Sequence, residues 1–160
     1  MKLILPLLML FPVLINAQDC KLIHDKDPYT KEAKVSSGAL SVQGAILTID
    51  ADKKEIDFFF EIKGKCYNDQ STVLIFWEGS KVKTTQRNQG SVNCDGYFHF
   101  KFRNGTTTPT ALSKLETQKV AQFVFKGDDG KEITISLTPD QQKTLQEVVG
   151  CINKESKTLL

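Results

Sequence analysis

Beyond an apolar run from Leu3 to Ile15, apolar and polar positions mostly take turns along this chain. Ile56 to Lys63 alternates strictly, with Ile56, Phe58, Phe60 and Ile62 on one side and Asp57, Phe59, Glu61 and Lys63 on the other. That period of two is the mark of a half-buried strand. Tyr97 to Arg103 repeats it, with Phe98, Phe100 and Phe102 inward and Tyr97, His99, Lys101 and Arg103 outward. Leu40 to Asp50 is apolar and β-branched and reads as a strand in which Gly44 marks a bulge or bend. Val73 to Trp77 is a short continuous apolar run, suited to a strand covered on both faces. Val120 to Phe125 and Glu132 to Leu137 flank Gly127-Asp128-Asp129-Gly130, a hairpin signal. By contrast, Lys21 to Ser37 is polar and turn-rich around Asp27-Pro28-Tyr29-Thr30, and reads as a leading loop.

The period changes near the C-terminus. Thr108-Pro109 and Thr138-Pro139 each pair a hydroxyl N-cap with a proline in the first turn, where its missing N–H costs nothing. The first predicts a short helix near 109–117. The second predicts a longer one over about 138–153, because Gln141 completes a capping box and Leu145, Val148, Val149 and Ile152 form an apolar stripe. The tail from Lys154 is expected to fray. Six or more strands followed by late helices define an α+β, β-rich class. The expected architecture is an antiparallel sheet, curled or sandwich-like, with the C-terminal helix packed on it.

The early apolar run has a different meaning. Lys2, an apolar core too short to span a bilayer well, and the small residue Ala17 read as a cleavable secretory signal over 1–17, with Gln18 as the mature start. Residues 18–160 then form a single β-rich domain. Pro6 and Pro12 argue against a permanent spanning helix, and Asp19 before Cys20 against lipid attachment at that cysteine. The expected address is therefore exported, periplasmic or secreted, with no permanent membrane anchor after signal cleavage. The formal charge of +2 falls by one when Lys2 leaves with the signal. So near-neutral a total argues against a nucleic-acid partner.

Cys20, Cys66, Cys94 and Cys151 survive maturation, and an even number in an exported chain favours disulfides. Three connectivities are open, and one ranks first. Gly79-Ser80 sits between Val73–Trp77 and the stretch Lys81–Arg87, where a glycine at the first central position suits a hairpin turn. Such a hairpin brings Cys66 and Cys94 together, leaving Cys20 with Cys151 to join the two ends. Loop entropy gives roughly 3.5 and 5 kcal/mol for the two bridges, as upper figures. The cysteines contain no C-x-x-C or C-x-H unit of the kind zinc sites favour. The turn Asp50 to Glu55 fails the calcium-loop pattern, since Lys54 stands where an oxygen ligand belongs and Glu55 where glycine is required. No metal or cofactor is expected.

Candidate chemistry is sparse. His24 falls in the leading loop and His99 on an outward strand face, and no glycine-framed serine accompanies either. Trp77, the only tryptophan, could stack on a sugar or anchor a partner, although a tryptophan ending an apolar strand is more often core. The outward row Tyr97, His99, Lys101 and Arg103 mixes aromatic and basic side chains, a composition compatible with an anionic ligand. With Trp77, these residues are the candidate binding surface. Asn104-Gly105-Thr106 matches a glycosylation sequon, relevant only to secretion through an endoplasmic reticulum.

Several features recur together: Cys20 followed by Asp27 to Thr30, Gly64-Lys65-Cys66 ahead of Val73 to Phe76, the Asn93-Cys94-Asp95-Gly96 turn, and a terminal helix carrying Gly150-Cys151. In these the chain resembles an uncharacterised family of small exported disulfide-containing bacterial proteins. The resemblance implies export and disulfides, and no activity, cofactor or catalytic residue. The function expected is a non-catalytic periplasmic or secreted binding domain for a protein or cell-envelope component. The alternative is an inhibitor or immunity-type protein that blocks a hydrolase through a protruding loop such as Arg87–Val92 or Gly105–Thr108. A small hydrolase comes last.

Overall fold

The computed structural model describes residues 20–160, so the expected signal over 1–17 and the Gln18 start lie outside the described residues. In chain order the elements are β1 (Ile23–Lys26), β2 (Ala33–Val42), β3 (Ala45–Ala51), β4 (Glu55–Glu61), β5 (Thr72–Trp77), β6 (Lys83–Arg87) and β7 (Tyr97–Arg103). Then come α1 (Thr110–Thr117), β8 (Val120–Lys126), β9 (Glu132–Ser136), α2 (Pro139–Ser156) and a closing 3-10 turn, Lys157–Leu159. The strands form two antiparallel sheets, one of five in the order β1-β2-β3-β4-β7 and one of four in the order β6-β5-β8-β9. This is the β-rich α+β architecture expected, with the sheets facing each other rather than closing into a barrel.

The strict alternations place the core. Phe58, Phe60, Phe98 and Phe100 point inward from β4 and β7, and Phe123 and Phe125 meet them from β8. Phe60 lies 5.1 Å from Phe123 and 4.9 Å from Phe125, and Phe98 5.0 Å from Phe125, all edge-on across the two sheets. Edge-to-face packing of this kind adds to simple area burial. Leu145, Val149 and Ile152 of α2 are buried against the same core, while Val148 is half-buried at its margin.

Both disulfides pair as the hairpin argument ranked them. Cys66 joins Cys94 with Cα atoms 3.9 Å apart, and Cys20 joins Cys151 at 5.6 Å. The β5–β6 register, Phe76 opposite Lys83, is that of a turn centred on Gly79-Ser80.

Several local expectations are corrected. The stretch read as a leading loop holds β1 and the start of β2, paired from Ile23 opposite Ser36 to Lys26 opposite Ala33. Every residue of β1 is exposed, so no buried face imprinted a period on its sequence. Leu40 to Asp50 is two strands, for Gly44, at φ +81°, belongs to the tight turn that sets Val42 opposite Ala45. The bulge lies earlier, between Ser36 and Ala39. β5 is covered on one face only, with Val73, Ile75 and Trp77 buried and Leu74 and Phe76 half-buried. At α1 the N-cap is Pro109 and carries no side-chain cap; the hydroxyl of Thr108 faces the Asn153 side chain of α2 at 3.4 Å instead. Thr138 and Gln141 do form the capping box of α2. The tail does not fray: α2 runs to Ser156, which is fully buried and bonded to Asn104.

Candidate functional site

The outward residues of β4 and β7 share one face of the five-stranded sheet, in the register Glu55–Arg103, Asp57–Lys101, Phe59–His99 and Glu61–Tyr97. β3 extends the face by setting Asp50 opposite Asp57, Thr48 opposite Phe59 and Ile46 opposite Glu61. The Phe59 ring sits between its neighbours, 4.5 Å from His99 and 5.3 Å from Tyr97. Tyr97 remains 38 % exposed, and Ile46, on the far side of Glu61, is exposed as well. The result is a short apolar and aromatic strip in an otherwise charged sheet surface.

The charges around it are mostly paired. His99 Nδ1 lies 3.0 Å from Asp57 Oδ2. The Lys101 ammonium bonds Glu55 and lies 3.8 Å from Asp57. Partial burial pulls the Lys101 ammonium toward neutrality, but its bond to Glu55 and the charge of Asp57 outweigh this and leave its pKa raised. Lys34 donates to Asp50 at 2.8 Å, and that bond raises its pKa too. Arg103 is exposed and, among the described residues, pairs with no carboxylate. The aromatic and basic row therefore offers one free cation, Arg103, to an anionic group.

Trp77 is not part of this surface. It lies in β5 of the other sheet, is 2 % exposed, and donates its indole N–H to Thr84 at 3.3 Å, with the Lys114 ammonium 4.7 Å above its ring. The core reading of a tryptophan that ends an apolar strand holds, and Trp77 leaves the candidate surface.

The segment after β6 does something the sequence did not signal. The Asn88 side-chain oxygen accepts the His99 N–H at 2.9 Å, and the Gln89 N–H donates to the His99 carbonyl at 2.8 Å. Asn93 accepts the Tyr97 N–H with its oxygen and donates to the Tyr97 carbonyl with its amide, both at 2.9 Å. Two side-chain amides thus stand in for a neighbouring strand along β7. Gly90 presses on the same place, where a Cβ would come within 2.8 Å of the His99 ring. Gly96, at φ +85°, lies so close to β4 that a Cβ would sit 2.0 Å from the Ile62 carbonyl oxygen. The Cys66–Cys94 bridge and the Tyr67–Asn93 pairing clamp the base of the loop. Of the loop expected to protrude over Arg87–Val92, the first half is tied down and its tip, with Val92 73 % exposed, projects.

The second expected loop, Gly105–Thr108, is tethered as well, with the Lys157 ammonium bonded to the Gly105 carbonyl. Asn104 of the sequon is 4 % exposed, and its amide donates to the carbonyls of Asp52 and Ser156. Folded, it offers no acceptor nitrogen to a glycan.

The Asp57–His99 pair has the look of a base with its orienting carboxylate, but catalysis also needs a nucleophile or water aligned on the other ring nitrogen. Among the described residues no hydroxyl or thiol bonds that nitrogen. His24 lies in exposed β1. No group of three or more histidine, cysteine or acidic residues among those described could hold a metal ion. Concavities include an apolar groove of about 260 Å³ between the β2–β3 hairpin and the first turns of α2, and an acidic notch of about 80 Å³ at Asp50 and Asp57.

Fold and bonding together define a disulfide-stapled, β-rich protein of two antiparallel sheets with a packed C-terminal helix. Its described helices are none of them long and apolar enough to cross a membrane. No protein-family model, no curated protein and no solved structure matches the chain.

Proposed function

We propose that the chain is an exported, non-catalytic binding domain that holds a protein or cell-envelope partner on the outer face of its five-stranded sheet. Tyr97 and Arg103 are the contact residues at the centre of that reading. The observation that carries it is the preorganised strip: Tyr97 and His99 both pack on Phe59, and Asn88, Gln89 and Asn93 fix the backbone beneath them. A rigid aromatic surface loses little side-chain entropy on contact, which is what an anchor requires. The signal-like start and the resemblance to small exported bacterial proteins support the address. The second reading, an inhibitor that blocks a hydrolase, rests on the clamped loop tip at Ser91-Val92.

Affinity capture from the host envelope tests both. The Tyr97→Ala and Arg103→Ala variants, altered at exposed positions, should each weaken capture by roughly tenfold at unchanged melting temperature. Val92→Asp should not. Loss confined to Val92→Asp would favour the inhibitor, and undiminished capture by all three variants would sink the sheet-face reading.

A further inference from the structure

The two sheets present the edges β1, β7, β6 and β9, and an unguarded edge is a template for another strand. Three carry a guard. β1 is only Ile23–Lys26, polar after its first residue. β7 is sealed by Asn88, Gln89 and Asn93 alongside Tyr97 and His99, and its remaining outward positions are the cations Lys101 and Arg103. β6 has the sequence Lys-Thr-Thr-Gln-Arg, with a cation at each end.

β9, Glu-Ile-Thr-Ile-Ser, carries no lysine, arginine, proline or bulge. Hydrogen bonds at its two ends fix the phase of its pairing with β8: the Gly127 N–H donates to the Lys131 carbonyl, and the Leu137 N–H to the Ala121 carbonyl. Bonded positions alternate along an antiparallel pair, so Ile133 and Ile135 are turned to β8. The backbone groups of Glu132, Thr134 and Ser136 point away from the sheet and find no partner among the described residues.

We propose that this edge pairs with the same edge of a second copy, antiparallel about Thr134, to give one continuous eight-stranded sheet. The charge pattern of the strand admits a second copy of itself where that of β6 does not. Self-pairing sets Thr134 opposite Thr134 and Glu132 opposite Ser136, with no like charges facing. The same operation on β6 about Thr85 would set Lys83 opposite Arg87 twice, a repulsive arrangement. Pairing at β9 is therefore isologous and closed, and the basic β6 edges left at its ends stop it from propagating. It would also cover the half-buried Ile133. The contact is small, so the dimer is weak, with a dissociation constant on the order of 10 to 100 µM.

Sedimentation of the purified protein over roughly 5 to 500 µM should show a monomer passing into a dimer. Thr134→Pro removes an N–H that bonds to nothing within the chain, and proline is tolerated on an edge strand. It should raise the dissociation constant at least roughly tenfold without changing the far-ultraviolet circular dichroism. Thr85→Pro makes the equivalent change on β6 and should leave association intact. If Thr134→Pro fails to fold, Thr134→Lys sets two cations opposite each other and should give the same loss. Amide exchange at Thr134 should also slow as wild-type concentration rises. A monomer at every concentration overturns the proposal, as does a dimer unaffected by both Thr134 variants or one equally lost in Thr85→Pro. A monomer that instead accepts an extended peptide of another sequence along β9 overturns it in favour of a different partner.

Discussion

Asn104 is where the structure departs most sharply from the expected fraying tail, and it yields a quantitative test. Its side-chain amide donates to the carbonyls of Asp52 and Ser156, each at 2.8 Å, and its side-chain oxygen accepts from the Ser156 hydroxyl at 3.2 Å. One side chain thus ties the β3–β4 turn and the end of β7 to the last turn of α2. Asn104→Ala removes all three bonds and strands the Asp52 carbonyl, while the Ser156 carbonyl keeps its place in the closing 3-10 turn and the Ser156 hydroxyl its bond to the Asn153 carbonyl. At about 1 kcal/mol net per bond, with some penalty for the Asp52 carbonyl left without its donor, the loss comes to about 2 to 4 kcal/mol. For a chain of this size that lowers the melting temperature by roughly 10 °C.

Thermal and urea denaturation of three variants separates this account from its rivals. Asn104→Asp should be worse than alanine, because a carboxylate would face two carbonyl oxygens with no hydrogen to offer. Thr106→Ala deletes the sequon at an exposed residue without touching the network, and should stay within about 0.5 kcal/mol of wild type. If Asn104→Ala also stays within about 0.5 kcal/mol, or Asn104→Asp is the milder change, the network is not holding the helix end and the reasoning fails.

Two further outcomes follow from single side chains. Tyr67 is fully buried, its hydroxyl has no partner among the described residues, and burial pushes its pKa up. Tyr67→Phe should raise stability by roughly 1 kcal/mol in urea denaturation, and a clear fall would show that the hydroxyl is satisfied in place. The folded-state pKa of Lys34 lies above its ordinary 10.5 because of the bond to Asp50, so its contribution is fully present below the unfolded value and fades as pH rises through the folded one. The stability gap between wild type and Lys34→Met, small for so exposed a pair, should therefore close above pH 10.5, and a gap that persists unchanged in strong alkali would break the linkage.

What the sequence made legible were features with a local physical signal. β4 and β7 alternate because each has one buried and one solvated face, so Phe58 and Phe100 could be sorted from Asp57 and His99 without a structure. The capping box of α2 and the β5–β6 turn are short-range chemistry, and the turn in turn ranked the disulfides correctly. What stayed illegible lacked such a signal. β1 buries no residue, so its strand character comes only from backbone pairing with β2. A glycine at positive φ serves a bulge or a tight turn equally well, so Gly44 alone does not reveal that Leu40 to Asp50 is two strands. Alternation tells which way a residue points from its own sheet but not which sheet holds it, so Trp77 and Tyr97 were grouped though they belong to different sheets. Asn88 and Asn93 look like ordinary loop residues in sequence, and only the geometry reveals their amides acting as backbone.

That seal along β7 also bears on how the two proposals relate. The aromatic strip lies on β4 and β7, and because the β7 edge is already occupied alongside Tyr97 and His99, a partner of the strip must approach its face through side chains. β9 belongs to the other sheet, and its outward groups are main-chain ones, so a strand added there makes no demand on Tyr97 or Arg103. A dimer through β9 would leave one binding face free on each copy. On a repetitive envelope surface, two linked faces bind far more tightly than either alone when their spacing fits. A dissociation constant weak in solution is compatible with that use, because an already bound copy raises the local concentration of the next. Each proposal can still fail alone: Tyr97→Ala leaves the β9 edge intact, and Thr134→Pro leaves the aromatic strip intact.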